Sequence, residues 1–299
     1  MSVMPAMTGL RGRMRLSEPM SRHTSWRVGG PAERFYQPAD LDDLVMFMKN
    51  LPPEEPLYCI GLGSNLLVRD GGVRGTVIGL SGMLNGLAVI ADGVVRAEAG
   101  VASAKVARFS VNHGLSGAEF LAGIPGTIGG ALAMNAGAFG GETWNIVQSV
   151  ETLDRGGGLH TRTRAEYEIG YRTVKGPPDE WFVAGRFALT PGTAAQGKAL
   201  IKTMLARRGT SQPTQTANAG SVFKNPPGDY AARLIEVSGL KGVCEGGVCV
   251  SEIHANFIVN TGGATAAEIE TLIERIRREV EAQQAVRLES EVRAIGEAP

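Results

Sequence analysis

The chain has 299 residues, of which 43% are apolar and 20% are charged, a composition typical of globular rather than disordered proteins. Its 30 basic and 30 acidic residues balance, so the overall charge predicts neither a nucleic-acid partner nor an anionic membrane surface. No run of about 18 apolar residues occurs, and we therefore predict no membrane-spanning helix.

The first 20 residues carry Arg11, Arg13 and Arg15 among methionines and glycines, and we expect a loose extension there. From residue 28 to residue 190, short β-like runs alternate with glycines, which predicts a strand-rich region. The predicted strands cover residues 57–60, 76–80, 94–97, 146–153 and 181–189.

Two helices interrupt these strands. Asp40 precedes an apolar stripe and can cap the first helix, and Ser103 can cap a second helix that ends by Gly114. After residue 190 the helical period strengthens. It predicts one helix around residues 200–205 and another over 229–238, which Gly239 closes.

The last predicted helix is the clearest. Thr265 and Glu268 form a capping box, and an apolar stripe follows it: Ile269, Leu272, Ile273, Ile276 and Val280. A final strand is predicted over 286–295, with Glu291 on its polar face. We therefore predict an α+β chain with an N-terminal extension (1–20), a strand-rich nucleotide-binding domain (21–190) and a mixed C-terminal domain (191–299).

A first glycine-rich loop follows the apolar run 57–60. Its glycines let the backbone approach an anion, and its polar side chains add donors; the residues are Gly61, Gly63, Ser64 and Asn65, followed by Leu66. It is not a dinucleotide-binding Rossmann fingerprint, because Leu66 stands where the third glycine belongs and a strand follows. Such a loop is also compatible with an ordinary structural turn.

A second loop contains more glycine. It comprises Gly123, Ile124, Pro125, Gly126, Thr127, Gly129 and Gly130, with Asn135 and Gly137 shortly after it. So many glycines weaken regular structure, and close approach of the backbone to a ligand explains their density. Tight turns at a sheet edge explain either loop alone, but the two together predict a large phosphorylated cofactor.

Several motifs then recur in an order that resembles one enzyme family, from about residue 20 to the end of the chain. They include Val28 to Ala32, Tyr171-Arg172, Gly220 to Pro226, His254 to Phe257 and Leu288 to Gly296. Together with both loops they resemble the UDP-N-acetylenolpyruvoylglucosamine reductases, in the compact second type. The resemblance implies an FAD-binding domain of the vanillyl-alcohol oxidase or p-cresol methylhydroxylase type, built from two α/β subdomains, plus a C-terminal α+β substrate domain.

The resemblance also implies a reaction. NADPH reduces FAD, and the reduced flavin then passes hydride to the vinyl carbon of a UDP-sugar enolpyruvyl ether. Arg172 would stabilise the developing negative charge, Ser221 would donate the proton, and Glu291 would polarise the substrate carboxylate or assist protonation. Tyr171, Lys224 and Asn225 would contact the substrate.

Each of these residues also has a simpler interpretation. An isolated arginine usually forms a surface ion pair, a serine after Ala-Gly is usually a turn or cap residue, and Glu291 alone would be a solvated strand residue. Glu289 is the alternative if the strand register differs. Thr173 follows Arg172 where the family commonly has serine, which removes one expected support of the arginine.

Two other functions fit the cofactor loops: an FAD-linked oxidase, or a nucleotide-binding module without catalysis. Zinc is not expected, because Cys244, Cys249 and His254 lack a fourth ligand and the close paired spacing of zinc sites. We expect these two cysteines and Cys59 to be reduced thiols in a cytoplasmic monomer without a metal, a nucleic-acid partner or a membrane partner.

Overall fold

The structure is a computed structural model, and it describes residues 9–299. This part of the chain divides into two compact units, each built from three segments of the sequence. The first unit contains residues 9–16, 34–62 and 75–205, and the second contains residues 17–33, 63–74 and 206–299. The single domain boundary near residue 190 stays a prediction. No helix in the described range is long and apolar enough to span a bilayer.

The strands are short, as the frequent glycines predict. In chain order they are β1 (Arg13–Pro19), β2 (Pro31–Gln37), β3 (Leu57–Ile60), β4 (Leu66–Val68), β5 (Val73–Gly79), β6 (Leu87–Ala91), β7 (Val94–Glu98), β8 (Leu115–Ser116), β9 (Gly137–Ala138), β10 (Gly141–Glu142), β11 (Val147–Asp154), β12 (Leu159–Thr163), β13 (Glu168–Gly170), β14 (Thr173–Lys175), β15 (Glu180–Ala188), β16 (Thr190–Pro191), β17 (Cys244–Glu245), β18 (Val248–Val250), β19 (Ile258–Asn260) and β20 (Arg293–Ile295).

The helices of the described residues are α1 (Leu41–Asn50), α2 (Ser103–Asn112), α3 (Ile128–Ala133), α4 (Ala194–Ser211), α5 (Ala231–Val237) and α6 (Ala266–Gln284). The predicted cap of α1 is confirmed, since the Asp40 side chain accepts a hydrogen bond from the Asp43 N–H. The predicted cap of α2 is wrong. Ala102 is its N-cap residue. Ser103 is the first residue of the helix, and its hydroxyl is buried.

The largest sheet is antiparallel, with strand order β12-β11-β15-β7-β6. One apolar core of the first unit contains buried side chains from this sheet and from α2 and α3, among them Val95, Val106, Leu132 and Phe187. A four-stranded sheet has the order β1-β2-β5-β3, in which β3 runs parallel to β5. The predicted strands over 57–60, 76–80, 94–97, 146–153 and 181–189 are confirmed to within three residues at each end.

The core of the second unit gathers around α6. The capping box of Thr265 and Glu268 is confirmed, and so is the predicted stripe, all of whose side chains are at least 92% buried: Ile269, Leu272, Ile273, Ile276 and Val280. They pack with Leu234 and Ile235 of α5 and with Val248 and Val250 of β18. The antiparallel sheet β17-β18-β19 completes this core.

Two predicted elements at the ends of the chain need correction. Residues 13–19 are not a loose extension but the edge strand β1, while residues 1–8 lie outside the described range. The last strand covers only Arg293–Ile295, where it pairs in parallel with β4. Residues 286–292 are irregular instead, because Ser290 pairs with Phe223 rather than with a long strand.

The expectation of three reduced thiols is also wrong. Cys244 and Cys249 form a disulfide, and Cys59 is the free cysteine. The reason is the hairpin β17–β18, whose register places Cys244 directly opposite Cys249. Among the described residues, no cluster of His, Cys, Asp and Glu side chains is suited to a metal ion.

Candidate active site

In the first unit, the glycine loop after β3 meets the loop before α3. Gly61 and Thr127 are so close that a Cβ added to Gly61 would lie 2.2 Å from Thr127 Oγ1. The Thr127 hydroxyl is buried and has no hydrogen-bond partner among the described residues. Protein atoms cover this oxygen, and the buried hydroxyls of Ser103, Ser110 and Ser238 share the same feature, so the unpaired hydroxyl does not by itself indicate a ligand.

Most of the glycines in these loops are explained by packing within the protein. An added Cβ would lie 2.3 Å from the Phe139 ring at Gly123, and 3.0 Å from Ala99 Cβ at Gly129. Gly63, in the second unit, has a φ of 66° and an added Cβ there would lie 2.0 Å from the His23 carbonyl. These glycines therefore do not by themselves indicate a ligand.

Gly130 differs from the other glycines of the second loop. It is an exposed helical residue of α3, and an added Cβ there would meet no protein atom within 4 Å. The amides just before it are already used, since Ile128 N–H donates to Val101 and Gly129 N–H donates to Ala99. Gly130 is thus a part of this loop that the protein itself leaves open.

Arg172 lies at the turn of a tight hairpin in the first unit. Strands β13 and β14 pair Gly170 with Thr173, so that Tyr171 and Arg172 alone form the turn. Arg172 has a φ of 53°, in the left-handed region that costs a residue other than glycine about 1–2 kcal/mol. Two-residue hairpin turns commonly use this backbone conformation. The guanidinium also lies 5.0 Å from the centre of the exposed Tyr171 ring.

Backbone carbonyls orient the Arg172 guanidinium. Its Nη1 donates to the Asn135 carbonyl at 3.4 Å and its Nη2 donates to the Gly137 carbonyl at 3.2 Å. A serine at the position of Thr173, as the family commonly has, would support Arg172. Part of that support comes instead from the segment that follows α3. Asn135 and Gly137, which we predicted as cofactor-binding residues, thus contact Arg172 through their carbonyls.

Asn135 has its side chain fully engaged within the protein. The residue is 1% exposed; its Nδ2 donates to Glu142 Oε2 at 3.0 Å and to the Gly170 carbonyl at 3.1 Å, and its Oδ1 accepts the Trp144 N–H. These bonds hold the hairpin that carries Arg172. A direct cofactor contact of Asn135 stays a prediction.

In the second unit, the residues 220–225, which we call the Ser221 segment, lie beside residues 289–292. The Val222 carbonyl accepts the Glu291 N–H at 2.8 Å, and the Lys224 N–H donates to the Glu289 carbonyl at 2.9 Å. Ser221 and Glu291 are both half-buried. The backbone therefore brings the two predicted catalytic residues of this unit into register.

The first glycine loop contributes to the same place in the second unit. Asn65 Nδ2 donates to the Glu291 carbonyl at 3.1 Å, and the Asn65 carbonyl accepts the Arg293 N–H at 3.1 Å. Ser64 and Leu66 beside it are half-buried. Asn65 thus holds the backbone of Glu291. Its contact with the cofactor stays a prediction.

The other predicted substrate residues of this unit are exposed or half-buried. Lys224 Nζ lies 3.5 Å from Glu289 Oε2, and Asn225 is exposed while its Oδ1 accepts the Ala231 N–H at the start of α5. Glu289 is exposed and paired with Lys224, whereas Glu291 is half-buried. Glu291 is thus the less exposed of the two, and its catalytic role stays a prediction.

His254 belongs to the motif beside the Ser221 segment. Burial lowers its pKa, and Lys241 lowers it further although Glu236 opposes this. Its Nδ1 accepts the Asn256 N–H at 3.3 Å, a bond that only the unprotonated nitrogen can accept.

We expect His254 to lower the free energy of unfolding in acid. Because the folded-state pKa is lowered, its contribution is present above about pH 6.5 and is lost as the pH falls towards that lowered value. Urea unfolding should show a smaller drop in the free energy of unfolding between neutral and mildly acidic pH for His254→Gln than for the natural protein. Equal drops would contradict this role.

Two family models match the chain. One, described as an FAD binding domain, matches residues 32–163; the other, described as the C-terminal domain of UDP-N-acetylenolpyruvoylglucosamine reductase, matches residues 212–295. The reductase of Methylococcus capsulatus is 59% identical over 288 residues, which are 96% of this chain and 95% of the relative. The chain belongs to the UDP-N-acetylenolpyruvoylglucosamine reductase family. The family member from Alkalilimnicola ehrlichii is 58% identical over 287 residues, 96% of each chain.

A solved family member supports the same assignment. The crystal structure of the Thermus caldophilus reductase matches with a TM-score of 0.82 and 33% identity, over 95% of this chain and 99% of that one. The predicted family is therefore confirmed. So is the predicted fold class, an FAD-binding domain combined with a C-terminal α+β domain.

Sequence reasoning missed two residues that shape the site. Glu142 binds Asn135 behind Arg172, and Asn256, named only as part of a motif, binds the backbone of Phe223. A signal existed for Asn256, because it interrupts the apolar run from Ala255 to Val259. A polar residue in a buried run must find hydrogen-bond partners.

Proposed function

We propose that the protein reduces UDP-N-acetylenolpyruvoylglucosamine to UDP-N-acetylmuramate, a precursor of peptidoglycan, with FAD as its cofactor and NADPH as reductant. Family membership over nearly the whole chain supports the substrate and the cofactor. The observation that carries the mechanism is the bond between the Val222 carbonyl and the Glu291 N–H. This bond pairs Glu291 with Val222, the residue after Ser221, which is the proposed proton donor.

The residues of the two glycine loops fit a bound FAD. Gly130 offers backbone surface at the start of α3 that no protein side chain covers. We assign FAD to the predicted set, namely Gly61, Gly63, Ser64, Asn65, Leu66, Gly123, Ile124, Pro125, Gly126, Thr127, Gly129, Gly130, Asn135 and Gly137. When bound and reduced, FAD supplies the hydride for the vinyl carbon of the substrate.

Arg172 binds the carboxylate side of the substrate. Hydride addition to the methylene carbon leaves negative charge on the adjacent carbon and its carboxylate, and a guanidinium stabilises that charge while keeping its own proton. Carbonyls of Asn135 and Gly137 hold the guanidinium before substrate binds, so little reorganisation is needed.

Ser221 completes the reduction by donating its hydroxyl proton to the carbon next to the carboxylate. The hydroxyl then regains a proton from solvent. Glu291, held beside this segment by Val222 and Asn65, polarises the substrate carboxylate or assists that protonation. Tyr171, Lys224 and Asn225 bind other parts of the UDP-sugar, with Lys224 suited to a phosphate.

We assign the reaction to the cytoplasm and to a monomer. Both reactants are water-soluble nucleotides.

Replacing Gly130 by alanine separates folding from cofactor binding. The added methyl meets no protein atom, so the protein without cofactor should become more stable by up to about 1 kcal/mol. FAD affinity should fall about tenfold or more, because overpacking a filled site costs about 1–3 kcal/mol. Urea unfolding and fluorescence titration with FAD measure the two effects.

Gly209 provides the matched control, since it is also helical, in α4, with no protein atom within 4 Å of an added Cβ. Gly209→Ala should raise stability and leave FAD affinity unchanged. Unchanged FAD affinity in Gly130→Ala would remove Gly130 from the cofactor site.

The proposed function is tested by the colour of the protein and its response to NADPH. The purified protein should be yellow, should release FAD on denaturation, and should bleach when NADPH is added without oxygen. A folded protein that binds no FAD, or whose FAD is not reduced by NADPH, would contradict the proposal.

A further inference from the structure

Asn256 makes three hydrogen bonds to two successive residues of the Ser221 segment. Its side chain Oδ1 accepts the Phe223 N–H at 2.9 Å, and its Nδ2 donates to the Phe223 carbonyl at 2.8 Å. Its own carbonyl accepts the Val222 N–H at 2.9 Å. The residue is 3% exposed, so these bonds are shielded from water.

Residues 289–291 hold the same segment through other backbone groups. The Val222 carbonyl accepts the Glu291 N–H at 2.8 Å, and the Lys224 N–H donates to the Glu289 carbonyl. Asn256 and residues 289–291 therefore bind the backbone polar groups from the Val222 N–H to the Lys224 N–H between them. Ser221 is the residue directly before this clamped stretch.

Only an amide side chain can do what Asn256 does here. Phe223 presents one donor and one acceptor, and a carboxamide offers the complementary pair on adjacent atoms. Leucine has nearly the same shape but would leave both Phe223 groups without partners in a buried place. Such groups find other partners by shifting the backbone.

We propose that Asn256 is a positioning residue for proton donation by Ser221. This inference rests on the proposed function, because it assumes that Ser221 protonates the substrate carbon. Asn256 does not touch the substrate in this scheme. It fixes the backbone of Val222 and Phe223, and through Val222 it keeps Ser221 in register with Glu291.

The test uses the whole FAD-loaded protein in anaerobic stopped-flow measurements of each half-reaction. For Asn256→Leu, reoxidation by UDP-N-acetylenolpyruvoylglucosamine should slow at least tenfold, while reduction by NADPH changes less than twofold. The solvent deuterium isotope effect on reoxidation should rise, because proton transfer then limits the rate. In a Ser221→Ala background, Asn256→Leu should have little further effect, since residues that act as a unit are not additive.

Asn260→Leu is the matched control. Asn260 also bridges backbone groups of the second unit, donating to the Trp26 carbonyl and accepting the Gly262 N–H, both at 2.8 Å. The Asn260→Leu change should leave the ratio of the reduction rate to the reoxidation rate unchanged. If Asn256→Leu does not fold, Asn256→Asp retains the acceptor for Phe223 N–H and should shift the ratio in the same direction.

The inference is overturned if the Asn256 variant that folds slows both half-reactions equally, or slows reoxidation by the same factor with and without Ser221. Failure of the proposed function has a different signature. In that case the natural protein itself would not be reoxidised by the enolpyruvyl substrate.

Discussion

Ser221→Ala is expected to leave the reduction of bound FAD by NADPH nearly unchanged and to slow reoxidation by the enolpyruvyl substrate about 10²–10⁴-fold. The reason is that alanine removes the proton donor but not the backbone bonds of Val222 that hold Glu291. Anaerobic stopped-flow absorbance separates the two half-reactions. The effect should appear in the rate at saturating substrate rather than in substrate affinity.

Ser238→Ala is the control for this experiment. Ser238 is a buried serine of the same unit whose hydroxyl has no hydrogen-bond partner among the described residues, and it lies after α5. Its replacement should affect neither half-reaction. Equal slowing of both half-reactions by Ser221→Ala would contradict the assignment of Ser221 as proton donor.

Arg172→Ala should give the second large effect. Removing a preorganised donor from developing negative charge typically costs about 10²–10³-fold in turnover, and substrate binding should weaken as well. Alanine and arginine share the same penalty at a φ of 53°, so the backbone cost of the turn should not change. Steady-state kinetics with varied substrate, together with thermal unfolding, measure activity and stability separately.

Arg164→Ala controls for the loss of an arginine that binds a backbone carbonyl. Its guanidinium donates to the Trp144 carbonyl in the same unit, as that of Arg172 does to Asn135 and Gly137. Turnover close to that of the natural protein is expected. If Arg164→Ala and Arg172→Ala reduced turnover equally, Arg172 would have a structural role only.

The fold was largely predictable where a pattern depends only on residues that are close together in sequence. The capping box of α6 and its buried stripe are local features, since a helix period and a cap need only about one turn of sequence each. The end of the chain was less predictable. Residues 286–292 alternate like a strand, but their partner is the single bridge from Ser290 to Phe223, and sequence does not state which segments pair.

The glycine loops show where prediction from sequence reached its limit. Their density suggested close approach of a ligand, yet Gly61, Gly123 and Gly129 each lie against another part of the protein. At Gly130, by contrast, an added Cβ would meet no protein atom within 4 Å. A glycine in the sequence indicates that another atom lies close to its Cα. Only the structure shows whether that atom belongs to the protein or to a ligand.

The site residues depend on contacts that are distant in sequence. Arg172, Ser221 and Glu291 were predicted because they match family motifs, whereas Asn256 was named only as part of a motif and Glu142 was not named at all. The disulfide between Cys244 and Cys249, which are only five residues apart, was missed because it depends on the register of β17 and β18. Register is set by turn geometry and packing.

The most direct test of the reductase function is a single anaerobic experiment on the natural protein. FAD is first bleached with one equivalent of NADPH, and UDP-N-acetylenolpyruvoylglucosamine is then added. We predict that the flavin colour returns and that one equivalent of UDP-N-acetylmuramate forms, while phosphoenolpyruvate, which lacks the UDP-sugar, restores no colour. Flavin that stays bleached until oxygen is admitted would contradict the reductase function and favour an FAD-linked oxidase.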